Sequence, residues 1–160
     1  MKKILLLMTL ILVLQSCATV NMTSNKDTSY TRKPKKIFIE ARCKKEMNAY
    51  CTVLINGLKM DLKAKTVETE SHVYNELSLE SEESRIQEIK NYNPEAILLI
   101  RQTVTGIDNA FELTLIDATS KKPVWKSEIS TSTGTYGDTD ELVSKSRKAI
   151  ISKFTADGLL

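Results

Sequence analysis

The chain has 160 residues, enough for one ordinary domain and too few for two full ones. Hydrophobic residues make up 41% and charged residues 27%, with only 5 Gly and 3 Pro, a composition that excludes collagen-like, multispanning and disordered chains. The formal charge of +3 comes from 23 Lys and Arg against 20 Asp and Glu with the signs interspersed, so no basic stripe points to nucleic acid. The first predicted element is Lys2-Lys3 followed by an apolar run from Ile4 to Leu14, broken only by Thr9. About 11 such residues form a helix of roughly 16 Å, whereas a bilayer core of ~30 Å needs about 20. Two cations and a short apolar helix at the start of the chain read as an export leader that is processed.

The leader ends in Leu14-Gln15-Ser16-Cys17. This resembles the lipobox of bacterial lipoproteins, with a branched apolar residue three before the cysteine and a small residue directly before it. Gln15 departs from the small or branched residue commoner at its position. The resemblance implies that residues 1–16 are a lipoprotein signal peptide and that Cys17 becomes the first mature residue, its sulfur linked to diacylglycerol. Two or three acyl chains, at ~0.8 kcal/mol per buried methylene, anchor a protein far more firmly than one. Ala18 in place of Asp implies sorting to the outer membrane. The stretch after Cys17 carries no acidic cluster of the kind that implies export to the cell surface, so the expected orientation faces the periplasm.

Loss of Lys2 and Lys3 leaves 21 cations against 20 anions, a nearly neutral mature chain. An oxidising periplasm permits Cys43 and Cys51 to pair. A helix starting near Glu46 would set Cys51 a turn inside it and Cys43 before it. A disulfide needs Cα atoms within about 7 Å, so two buried free thiols stand as the alternative. The only histidine, His72, is far off in sequence and no zinc-ligand spacing occurs, so no metal or other cofactor is expected.

Residues 18–35 are polar, rich in Ser, Thr and Asn, and aperiodic, which reads as a flexible tether spanning about 25 Å on average. The globular domain is expected over 36–160. Lys36 to Ala41 reads as a buried strand. Met47, Cys51, Leu54, Leu58 and Leu62 form one stripe of a helix over about 46–63, which Gly57 weakens. A more exposed strand lies within Val67 to Leu77. Ser81 can cap a helix with Glu82 and Glu83 in its first turn and Ile86, Ile89 and Tyr92 on its buried face, ended by Asn93-Pro94. Ala96 to Ile100 is continuously apolar and reads as a central strand covered on both faces. Ala110 to Asp117 alternates, Thr119 to Pro123 turns, and Val124 to Ile129 returns with Trp125 and Ile129 on one side. After a polar loop from Ser130 to Gly137, Asp138 and Glu141 form a capping box. The last helix presents Val143, Arg147, Ile150 and Phe154, and Gly158 can stop it.

The order strand, helix, strand, helix, three strands, helix predicts an α/β mixed sheet of about five strands with about three helices. The break at Asn93-Pro94 and the hairpin from Leu115 to Trp125 resemble small periplasmic lipoproteins laid out like the amino-terminal domain of TolB and the lipoprotein activators of penicillin-binding proteins. That resemblance implies binding to other envelope proteins and carries no residue-level site.

His72 lies in a polar stretch with no nucleophile elbow or catalytic-cysteine signature. Asp138, Asp140 and Glu141 lack the calcium-loop pattern, and Gly134 to Gly137 lacks the lysine of a phosphate cradle. The reading that follows is a non-catalytic, membrane-tethered adaptor with an envelope-protein partner and no nucleic acid. The alternatives are a small hydrolase or peptidoglycan-acting enzyme using His72 with Glu70 or Glu76, and a subunit of an outer-membrane assembly or secretion complex. The 130–137 loop and the edge of the second strand are the candidate contacts.

Overall fold

The computed structural model describes residues 19–74, 79–105, 108–132 and 139–160. The leader, Cys17, Glu76, Asp138 and residues 133–137 of the expected contact loop lie outside the described residues. Strands β1 (Thr19–Lys26), β2 (Lys36–Arg42), β3 (Glu68–Tyr74), β4 (Ala96–Val104), β5 (Asp108–Asp117) and β6 (Pro123–Ser132) form one sheet in the order β1-β6-β5-β4-β2-β3. The helices are α1 (Asn48–Ala64), α2 (Glu82–Tyr92) and α3 (Thr139–Ala156). From Lys36 onward the element order and the mixed α/β class are those predicted from the pattern.

β2, β3 and β4 run parallel, and the rest of the sheet is antiparallel. The step from β2 to β3 moves one way along the sheet and the step from β3 to β4 crosses back past β2. Right-handed crossovers in opposite directions place their helices on opposite faces. Accordingly Ile37, Ile39 and Ala41, in register with Ala96, Leu98 and Ile100, join Leu54, Leu58 and Leu62 of α1 and Ile150 and Phe154 of α3 in the core. Phe38 and Glu40 point the other way. The Phe38 ring meets Tyr92 of α2 at 5.9 Å, and Arg85 of α2 donates to Glu40 at 2.6 Å.

β1 corrects the expected tether. Val20, Met22, Ser24 and Lys26 alternate as half-buried positions, and the strand pairs antiparallel with β6 along its whole length, from Thr19 opposite Ser132 to Lys26 opposite Trp125. Ser24 donates to the Asp157 carboxylate at 2.6 Å, and Lys26 to the Asp157 carbonyl at 2.8 Å. The link onward to β2 is fastened too: Tyr30 is buried, Arg32 reaches Asp117 at 2.8 Å, and the Lys35 N–H donates to Glu95 at 2.7 Å. Polar composition suggested a free linker, but period-two alternation over an apolar neighbour is sufficient for an edge strand.

A 3-10 turn at Lys45–Met47 delays α1 by two residues relative to the expected start. Cys51 thus sits in the first turn of α1, the chain folds back over it, and Cys43 and Cys51 are joined as a disulfide with their Cα atoms 6.6 Å apart. In α2, Ser81 accepts the Ser84 N–H as the cap, and Asn93 closes the helix at φ 51. The predicted apolar face of α2 is corrected. Arg85 is its buried residue while Ile86 is 41% exposed, because the pairing of Arg85 with Glu40 turns the side carrying Arg85, Ile89 and Tyr92 toward the sheet. This short helix leaves Ile97 and Leu99 of β4 half-buried on its face, whereas Leu98 and Ile100 are fully enclosed on the other.

Trp125 packs edge-on against Phe154 at 4.8 Å, fixing the end of α3 on β6, and Ile129 is buried beside it. Asp117 accepts the N–H groups of Thr119 and Ser120 and so shapes the β5–β6 turn, with Lys121 at φ 59. The stem of Arg147 crosses α1 at Gly57, and its guanidinium binds Asp61 at 2.9 and 2.7 Å. No helix among the described residues is long and apolar enough to cross a membrane.

Candidate interaction surfaces

The strand directions give the domain two ends. The leading end, where β1 starts, also holds the ends of β2, β3, β4 and β6 and the first turns of the helices. The trailing end holds the last turns of the helices, the β5–β6 turn and the chain from Lys26 to Lys36.

At the leading end the Cys43–Cys51 bridge lies beside a cleft of about 270 Å³ lined by Arg42, Lys44, Tyr74, Arg101 and Gln102. Its cations are balanced. Glu40, only 3% exposed, is bound by both Arg42 at 2.7 Å and Arg85 at 2.6 Å, and Arg101 reaches Glu112 at 3.3 Å. Burial pulls the Arg85 guanidinium down, and the hydrogen bond and charge of Glu40 push it up, with the net effect upward.

His72 sits on β3 with Nε2 3.0 Å from Glu80 and Nδ1 3.0 Å from Glu88. Both ring nitrogens therefore face carboxylates. Glu70, two residues back on the same strand, accepts from Lys59 at 3.0 Å, and that hydrogen bond holds its carboxyl below the usual range. The structure does not bring Glu70 to the imidazole as a partner. No group of His, Cys, Asp and Glu among the described residues could hold a metal ion.

The trailing end shows what the linear charge pattern hides. The segments 26–36, 63–68, 90–95, 117–123 and 153–160 meet there, and they carry 11 of the 21 cations of residues 17–160 but only five of the 20 anions. The remainder of residues 17–160 has ten cations against 15 anions. Interspersed signs predicted no basic patch. The topology makes one by returning each lysine-bearing joint to the same end of the sheet. Two of these five anions, Asp117 and Asp157, are turned inward, while Asp27, Glu68 and Glu95 are exposed. For Asp117, burial raises the carboxyl, but the Ser120 hydrogen bonds, Arg32 and the Thr119 N–H together hold it below the usual range. For Asp157, burial is likewise outweighed by hydrogen bonds from Ser24 and Trp125, the latter at 2.7 Å.

A groove of about 650 Å³ opens at this end beside the free edge of β3, lined by Lys59, Met60, Lys63, Val67, Thr69 and Tyr92. Met60 is 70% exposed, and Lys36 lies 4.6 Å above the Tyr92 ring. The second strand was predicted as an exposed edge, and β3 does close the sheet on this side. The basic convergence was not read from the sequence, because its lysines come from joints far apart along the chain.

No family model matches the chain, and no curated protein matches it. Solved structures match in fold. PelC from Paraburkholderia phytofirmans, solved as a dodecamer, superposes with a TM-score of 0.53 at 12% identity, over 84% of this chain and 96% of that one. Lipoprotein GNA1162 from Neisseria meningitidis gives 0.51 at 14% identity, over 76% and 97%. The LpoB C-terminal domain from Salmonella enterica, at 0.45 with 11% identity over 66% and 87%, and TolB from Acinetobacter baumannii, at 0.44 with 12% identity over 88% and 32%, align too loosely to support any argument. The domain thus has the fold of PelC and GNA1162.

Proposed function

We propose that the chain is a bacterial envelope lipoprotein, cut before Cys17 and held by lipid on that sulfur in the outer membrane. Its domain faces the periplasm and acts as a non-catalytic adaptor that binds another envelope protein. The observation that carries this reading is the complete leader, Lys2-Lys3 and Ile4 to Leu14, ending in Leu14-Gln15-Ser16-Cys17. The fold shared with lipoprotein GNA1162 supports it. The hydrolase reading is disfavoured because a general base needs a nitrogen aimed at substrate, and both nitrogens of His72 face Glu80 and Glu88.

The test is mass spectrometry of the N-terminal peptide, combined with cross-linking in intact cells of the native protein and a Cys17→Ala form. The expected result is a peptide beginning at Cys17 with added acyl mass, and a defined partner captured by the native protein and lost with Cys17→Ala. An unmodified cysteine, or cross-links to abundant envelope proteins alone, would overturn the proposal.

A further inference from the structure

We propose that the lysine-rich trailing end, with the groove between α1 and β3, is the docking surface for an acidic polypeptide segment, presented away from the supporting membrane. The presentation rests on the lipid anchor proposed above; the charge and the groove do not. Only Ala18 lies between Cys17 and Thr19, two residue steps with a reach of at most ~7 Å, so the anchor holds the leading end. β1 then runs its eight residues away from the anchor, a rise of roughly 23 Å. An anchored domain therefore keeps its cations clear of the lipid headgroups beneath it.

The chemistry of the surface selects the occupant. Lys63 lines the groove, and Lys65 and Lys90 are exposed at the ends of α1 and α2, so the field at this end of the domain favours carboxylates. The carboxylate on the wall, Glu68, lies directly opposite Lys36 in the strand register. Met60 and Tyr92 offer apolar contact, which a sugar or phosphate polymer does not need. The free edge of β3 offers backbone donors and acceptors that an extended peptide can pair with. Charge, apolar lining and an open edge together fit a strand whose side chains alternate between acidic and apolar.

The experiment uses the full processed lipoprotein in detergent micelles and a fluorescent 12-residue peptide alternating Glu and Val. Its controls are the same peptide with Gln for Glu, and inorganic polyphosphate as competitor. The Glu peptide is expected to bind at least ~10-fold more tightly than the Gln peptide, and to weaken as salt rises. The triple variant Lys63→Gln/Lys65→Gln/Lys90→Gln should bind it at least ~10-fold more weakly, while the melting temperature falls only slightly because the side chains are exposed at helix C-termini. Met60→Ser should also weaken it, with no effect on polyphosphate binding. Peptide binding indifferent to the triple substitution, or indifferent to the loss of the Met60 side chain, overturns the docking proposal. An unmodified Cys17 alongside lysine-dependent peptide binding would instead remove the anchor and the stated presentation, leaving the docking surface intact.

Discussion

Glu40 places a carboxylate in the middle of a buried strand, where it persists only because two guanidiniums meet it. Removing one partner of such a pair leaves an uncompensated charge, which costs more than the pair contributes. Glu40→Ala is therefore expected to destabilise the domain by about 3 kcal/mol, because Arg85 is left with only the exposed Glu82 at 2.7 Å, read as a lower midpoint in urea unfolding. Glu40→Leu combined with Arg85→Leu should recover most of that loss, since volume is kept and no charge is stranded. A single variant costing under ~1 kcal/mol would mean that solvent already screens the pair. The sequence shows the strand around Glu40 plainly, through Ile37, Phe38 and Ile39, but not its partner. Arg85 lies 45 residues away in a helix whose apolar positions suggested a different face.

Elements with strong periodicity were legible and those set by tertiary partners were not. The stripe of α1, the hairpin of β5 and β6 and the cap at Ser81 follow from local spacing and chemistry. β1 escaped notice because Thr, Ser and Asn dominate it, although Val20 and Met22 already alternate. Gly57 shows the same division. In sequence it is a weak point in a helix, costing about 1 kcal/mol relative to Ala. In the structure it is the floor for Arg147, and a Cβ there would lie 2.4 Å from that side chain's Cδ. Gly57→Ala should therefore destabilise wild type by displacing Arg147 from Asp61 and parting α1 from α3. In an Arg147→Ala background the same change should stabilise by roughly 0.5–1 kcal/mol, through helix propensity alone. Thermal melts of the four proteins close the cycle. The same sign in both backgrounds would show that the two residues are not coupled.

At the scale of the whole molecule, topology sorts charges that the linear order mixes. Parallel strands return the helix ends to the trailing end, so the basic run Arg32-Lys33-Pro34-Lys35-Lys36 is joined there by Lys63, Lys65 and Lys90 from distant parts of the chain. A candidate site assembled in this way is invisible to motif reading, because its residues are contiguous only in space. β1 takes up residues 19–26 of the expected tether, so the proposed anchor at Cys17 would lie only two residue steps from the sheet and would orient the domain. Orientation can be read by placing single labelled cysteines at Val104, 49% exposed at the leading end, and at Lys122, exposed in the β5–β6 turn at the trailing end. With the lipoprotein in vesicles that carry a headgroup quencher, the Val104→Cys label should be quenched strongly and the Lys122→Cys label little. The contrast should persist when anionic lipid replaces zwitterionic lipid, because covalent reach sets the geometry. Equal quenching at the two sites would mean that the domain lies along the membrane or turns freely above it, and that two residues of chain do not orient the sheet.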